Sequence, residues 1–94
     1  MDLMTYLYDR IDEELEDAHG YIEHAIKTRE SSPDASKLMA QVSADELGHA
    51  QNLQSLAAKM PADAQMRGVH DWLKGKFAER MANIKKLHDV YNGR

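Results

Sequence analysis

Apolar residues recur along the chain at steps of three and four, and two prolines divide the recurrence into separate stretches. This pattern predicts an all-α chain of three helices. The first is expected over about residues 2–30, with Met4, Leu7, Tyr8, Ile11, Leu15, Ala18, Ile22, Ala25 and Ile26 along one face. Ser32 and Pro33 then read as an N-cap and a first-turn proline, opening a second helix over about residues 33–60. So short a connection makes the first two helices an antiparallel hairpin. Pro61 stops the second helix, and Asp63 is the expected cap of a third over about residues 63–92. Its stripe is Met66, Val69, Leu73, Phe77, Ile84, Leu87 and Tyr91. Gly68 and Gly75 lie in its first half, where each costs about 1 kcal/mol relative to alanine, so a late start or a bend is expected there. There is no internal repeat, low-complexity tract or linker, and residues 1–94 read as a single domain.

The second stripe contains an anomaly, for it runs Leu38, Met39, Val42, Glu46, His49, Leu53, Leu56 and Met60. At about 100° per residue, Glu46 and His49 fall within about 40° of the axis set by Val42 and Leu53, near the centre of the expected buried face. An unpaired carboxylate buried there costs several kcal/mol, and a divalent metal is a partner strong enough to offset that. The Glu-x-x-His spacing puts both side chains on neighbouring turns, pointing the same way, as two ligands of one ion require. On the first helix Glu14 lies about 60° from the stripe centre at Ile11. It is the nearest to that centre of the crowded acids Asp12, Glu13, Glu14, Glu16 and Asp17. Ala18 leaves room beside it, and Tyr21 falls on the same flank, where its hydroxyl can reach a ligand oxygen or a bound water. The competing explanation is a buried Glu46–His49 hydrogen bond that fixes helix register, in its most specific form with Arg80 paired to Glu46. His19 with Glu23, His70 and His88 read as surface or interface polar residues.

Composition narrows the chemistry. A chain of 94 residues buries only part of its apolar surface on folding, so a core completed by a partner subunit would help it. The absence of cysteine excludes disulfides, thiolate sites and cysteine nucleophiles, leaving oxygen and imidazole nitrogen as the metal ligands. The net charge of −4 is unevenly spread: residues 1–23 hold eight acids against one base, Arg10. That end attracts cations and repels phosphate. The basic residues Arg67, Lys74, Lys76, Arg80, Lys85, Lys86 and Arg94 are too interleaved with acids to indicate nucleic acid, and fit charge complementarity between subunits. No apolar run approaches the roughly 20 residues a membrane span needs. The acidic N-terminal stretch lacks the basic start and apolar core of a signal peptide, so a cytoplasmic protein is expected.

The segment Glu13-Glu14-Leu15-Glu16-Asp17-Ala18-His19-Gly20-Tyr21, followed about thirty residues later by Asp45-Glu46-Leu47-Gly48-His49-Ala50, resembles the ferritin-like superfamily, and most of all the encapsulated ferritins. In those short chains one such helix pair dimerises into a four-helix bundle. The resemblance covers roughly residues 10–53, and its strength lies in the combination of a lone Glu with Glu-x-x-His. A full ferritin-like bundle supplies a Glu from each of two helices and Glu-x-x-His from each of the other two. This chain holds one of each, so the resemblance implies a homodimer or higher ring-like oligomer. It implies that Glu14, Glu46 and His49 are iron ligands, that Tyr21 supports them, and that Glu13 and Glu16 form an outer site attracting metal. Gly20 departs from the pattern, which carries an aromatic residue before the tyrosine. Asn92-Gly93-Arg94 lacks the short apolar tail that targets cargo to an encapsulin shell, so encapsulation is not supported.

The function expected on this basis is a ferroxidase, an enzyme that oxidises Fe²⁺ to Fe³⁺ with O₂ at a di-iron site shared between two subunits. No nucleic acid and no membrane take part. Two other functions fit the same residues: a metal-free helical oligomerisation module, and a di-metal protein of another activity, peroxidase-like or manganese-binding, since first ligands are shared across these chemistries.

Overall fold

The three stripes fold as α1 (Leu3–Thr28), α2 (Pro33–Lys59) and α3 (Ala64–Tyr91), each within two residues or so of its expected span. The computed structural model describes residues 3–61 and 64–93. The expected cap Asp63 lies outside the described residues, as do the side chains of Met66, Val69 and His70. Ser32 stands at the N-cap of α2 with Pro33 in the first turn, but its hydroxyl makes no capping bond. Its carbonyl instead accepts the first helical bond, from the Ser36 amide at 2.9 Å. At the other end Met60 turns extended (φ −81, ψ 140), the conformation that a following proline imposes. Helix α3 begins at Ala64 and runs through both glycines, so the expected late start is not found.

The α1–α2 seam has a seven-residue period, with small residues at every such position of α2. Ser36, Ser43, Ala50 and Ala57 on α2 are all buried, as are Met4, Ile11, Ala18 and Ala25 on α1. Equal heptad spacing on both helices holds an antiparallel pair in contact along its length. The Ser36 hydroxyl donates to the Ala25 carbonyl at 2.5 Å and the Ser43 hydroxyl to the Ala18 carbonyl at 2.6 Å. Each such bond is worth about 1 kcal/mol net and leaves no buried hydroxyl unpaired.

This seam corrects the expected face of α2. Leu38 and Leu56, placed by the sequence on the inner stripe, are 65% and 50% exposed. The inner face is centred on Ser43 and Ala50, and His49 lies about 120° round the helix from Ser43. The physical reason is backbone approach. Serine and alanine let two helices close up and let serine satisfy itself on a carbonyl, whereas a leucine seam would hold them apart.

Helix α3 packs Met81 and Ile84 against Ile11, Leu15, Ala18 and Ile22, with Phe77, Leu87 and Tyr91 at the margin. Arg80 forms an ion pair with Asp12, and Arg29 donates to the carbonyls of Val90 and Tyr91 at 3.3 and 3.0 Å. A cation on the last carbonyls of a helix satisfies groups that have no partner within it. These contacts fix α3 parallel to α1, and the chain spans 51 × 23 × 16 Å. Asp12, which meets α3, and Tyr21 stand about 180° apart round α1. The hairpin therefore has one side covered by α3 and one open side, where Tyr21, Leu38 and Leu56 are exposed. Among the described residues no helix is long and apolar enough to cross a membrane.

Candidate metal centre

The two serine bonds that close the hairpin also set its register. With Ala25 opposite Ser36 and Ala18 opposite Ser43, position 14 comes level with position 47, and Glu46 and His49 flank Glu14. All three ligand atoms, one from each side chain, lie within 4.8 Å of one another. Glu14 belongs to the inner stripe of α1 and is 9% exposed. Glu46 is half-buried and the His49 side chain is 59% exposed. The structure thus unites the three residues singled out by the sequence. It places them at the edge of the seam, opening onto the bare side of the hairpin, and not at the centre of the intrachain core.

The two oxygens of Glu14 have different surroundings. Oε1 accepts from Arg10 Nη2 at 3.2 Å. Oε2 is buried and has no hydrogen-bond partner among the described residues. His49 Nδ1 is 3.5 Å from it, too far and too poorly aligned to count as a hydrogen bond. An ionised oxygen without a partner in a buried setting costs about 1–3 kcal/mol or more, and a cation is the group that best removes that cost. Oxygen and nitrogen ligands sit about 2.1 Å from a small divalent ion, hence about 3 Å apart in adjacent positions. The Glu14–His49 pair is already near that separation. Movements of about 1–2 Å at the tips bring in the rest, and the exposed His49 ring has room for them. Two carboxylates and one imidazole form a hard donor set suited to Fe²⁺ or Mn²⁺, and three ligands leave half of a six-coordinate shell unfilled.

The other residues singled out by the sequence stand apart from this group. Tyr21 is exposed on the flank of Glu14, and among the described residues no hydrogen bond joins it to the three ligands. Glu13 Oε2 is taken by Arg10 Nη1 at 2.5 Å. Glu16 lies about 160° round α1 from Glu14 and lines a groove beside α3 with His19, Arg80 and Asn83. Arg80 pairs with Asp12, so the alternative in which it neutralises Glu46 does not hold. His19 Nδ1 meets Glu23 Oε1 at 2.7 Å on the exposed face of α1, as expected for a surface pair.

Two polar side chains near the seam and the ligand group escaped the sequence reading. Arg10 sits four residues before Glu14 and three before Glu13, spacings that bring side chains together on one helix face, and that signal was available. His88, expected at a surface or interface, is half-buried, with Nε2 2.9 Å from Ser43 Oγ. Since the Ser43 proton goes to Ala18, His88 Nε2 is the donor and Ser43 the acceptor. Burial holds the His88 pKa below its ordinary value, with Asp89 opposing the shift. A link between residues 45 positions apart has no local signature.

Searches of the chain against protein-family models, curated proteins and solved structures return no match.

Proposed function

We propose that this chain is a ferroxidase-type protein that oxidises Fe²⁺ to Fe³⁺ with O₂ at a di-iron site assembled from two copies. Two observations carry this reading: Oε2 of Glu14 is buried without a hydrogen bond among the described residues, and ligand atoms of Glu14, Glu46 and His49 lie within 4.8 Å of one another. A second copy fits as the remaining half of the site. The ligands open toward the side of the hairpin where Leu38 and Leu56 are exposed. Two copies meeting there would bring two carboxylates and one histidine each to a pair of ions. Iron is the substrate: two Fe²⁺ each give up one electron, and O₂ takes both together with two protons to leave as hydrogen peroxide. Glu14 and Glu46 hold the ions and absorb the rise in charge, while His49 supplies a neutral nitrogen. The resemblance in residues 10–53 to encapsulated ferritins supports the same assignment, with Tyr21 as a supporting residue, while Glu13, held by Arg10, and Glu16, beside α3, stand outside the ligand group.

Aerobic addition of Fe²⁺, followed by ferric absorbance, tests the reading. A saturable signal is expected at about one iron per chain, and its rate should fall by at least ~10-fold in Glu46→Ala and His49→Ala, as expected when a direct metal ligand is removed. Variants that oxidise iron like the parent chain would leave the metal-free oligomerisation module, to which the exposed Leu38 and Leu56 lend themselves. Metal analysis of the isolated protein separates iron from a manganese centre.

A further inference from the structure

Arg10 is the only arginine or lysine in the first 23 residues, and its guanidinium forks across two carboxylates, Glu13 Oε2 at 2.5 Å and Glu14 Oε1 at 3.2 Å. Glu13 is well exposed, whereas the Glu14 side chain is only 11% so. The buried end of this bridge touches a candidate metal ligand and the outer end touches a carboxylate free to follow it into solvent. A planar, permanently charged fork suits two-carboxylate bridging in a way that a lysine ammonium does not.

We propose that Arg10 is a stand-in cation for the metal: in the metal-free chain it neutralises Glu14, and on loading it withdraws onto Glu13, so that its grip on Glu14 sets metal affinity. The inference rests on the metal site proposed above and adds a regulator to it. With Arg10 in place only Oε2 of Glu14 faces His49, so Glu14 offers the ion one oxygen. Once Arg10 moves outward, both oxygens are free to bind one ion or bridge two. A divalent ion and the guanidinium repel each other at this range, and the low exposure of Glu14 keeps solvent from screening them fully. Glu13 serves as the receiving carboxylate, which keeps Arg10 paired in both states. The two neighbours of the site are thereby predicted to act in opposite directions although neither is a ligand.

The test is the dissociation constant of Co²⁺ alone, read anaerobically from its visible absorbance, in the parent chain and in Arg10→Ala, Glu13→Gln, the double variant and His49→Ala. Removing Arg10 should tighten binding about tenfold. Glu13→Gln should loosen it several-fold, because Arg10 then has only Glu14 to hold, and should have less than about a twofold effect when Arg10 is already absent, the non-additivity that marks residues acting through each other. Arg10→Gln carries the same expectation as Arg10→Ala and retains a good helix former at the position. The proposal is overturned if Co²⁺ affinity is unchanged without Arg10, or if Glu13→Gln loosens binding equally in both backgrounds, for then Glu13 acts on the ion through its own charge. In either case His49→Ala still weakens binding. If His49→Ala and the Arg10 variants all bind Co²⁺ like the parent chain, the metal site itself is misassigned and this proposal falls with it.

Discussion

Replacing Glu14 with methionine should make the metal-free chain more stable while abolishing metal binding. Methionine matches the length and bulk of glutamate and adapts to irregular space. The substitution removes the Arg10–Glu14 pair, whose arginine is substantially exposed, a type of contact worth about 0–1 kcal/mol. It also removes a buried carboxylate oxygen that accepts no hydrogen bond among the described residues and has only the His49 ring at 3.5 Å, a relief of about 1–3 kcal/mol. The balance is a gain between about 0 and 3 kcal/mol, centred at about 1.5 kcal/mol. Urea unfolding in the presence of a chelator, followed by helical circular dichroism, measures it. With a slope of about 1 kcal/mol per molar expected for a chain this small, the midpoint should rise by about 1–2 M at equal protein concentration. A midpoint that falls would mean that the Arg10 contact outweighs the burial of Oε2, and the argument for a cation-demanding site would lose its basis.

Two other outcomes follow from the site and its supports. If the ions draw ligands from both copies, as proposed, anaerobic Fe²⁺ should raise the mass measured by light scattering at micromolar protein toward that of a dimer or larger ring. Equal mass with and without iron would count against a shared site. The His88 pKa is lowered by burial, so near pH 6 the unfolded chain binds more protons than the folded one, and stability rises with pH. This contribution is present above the ordinary histidine value near pH 6.5 and is lost as pH falls through the depressed folded value. Urea midpoints at pH 7.5 and 5.5 should therefore differ more in the parent chain than in His88→Gln, and an identical difference would refute the assignment.

Legibility divided along a physical line. Helices whose boundaries depend on neighbours in sequence were readable: the Ser32-Pro33 start, the Pro61 stop and the inner stripe of α1 from Met4 to Ala25 lie where local rules put them. Glu14 was separable from four surrounding acids by angle alone, and it is the one that is buried. The face of α2 was not readable in this way, because an apolar stripe counts leucines as buried and serines as exposed. In the fold Ser36 and Ser43 are buried and Leu38 and Leu56 are not, since serine can donate to a helix carbonyl and alanine and serine permit close approach. The corrective signal was the seven-residue recurrence of Ser36, Ser43, Ala50 and Ala57, which differs from the leucine-centred stripe only by a rotation of the helix.

That rotation changes what the Glu46–His49 anomaly means. At the core of the hairpin, a carboxylate and an imidazole would have to be satisfied inside one chain, and a register-fixing hydrogen bond would be sufficient explanation. At the edge of the seam, beside exposed leucines, the same two side chains are positioned to be completed from outside. Glu14 connects the two settings, since it is buried on the inner stripe of α1 and its Oε2 lies 3.5 Å from the exposed His49 ring. Helix α3 reinforces the asymmetry by covering the far side of α1 through Arg80, Met81 and Ile84, on the side away from Glu14, Glu46 and His49. Helix α2 thus separates two sets of residues: Ser43 and Ala50 are buried in the hairpin, and Glu46 and His49, turned away from them, stand with Glu14 in the group to which the proposed function assigns metal.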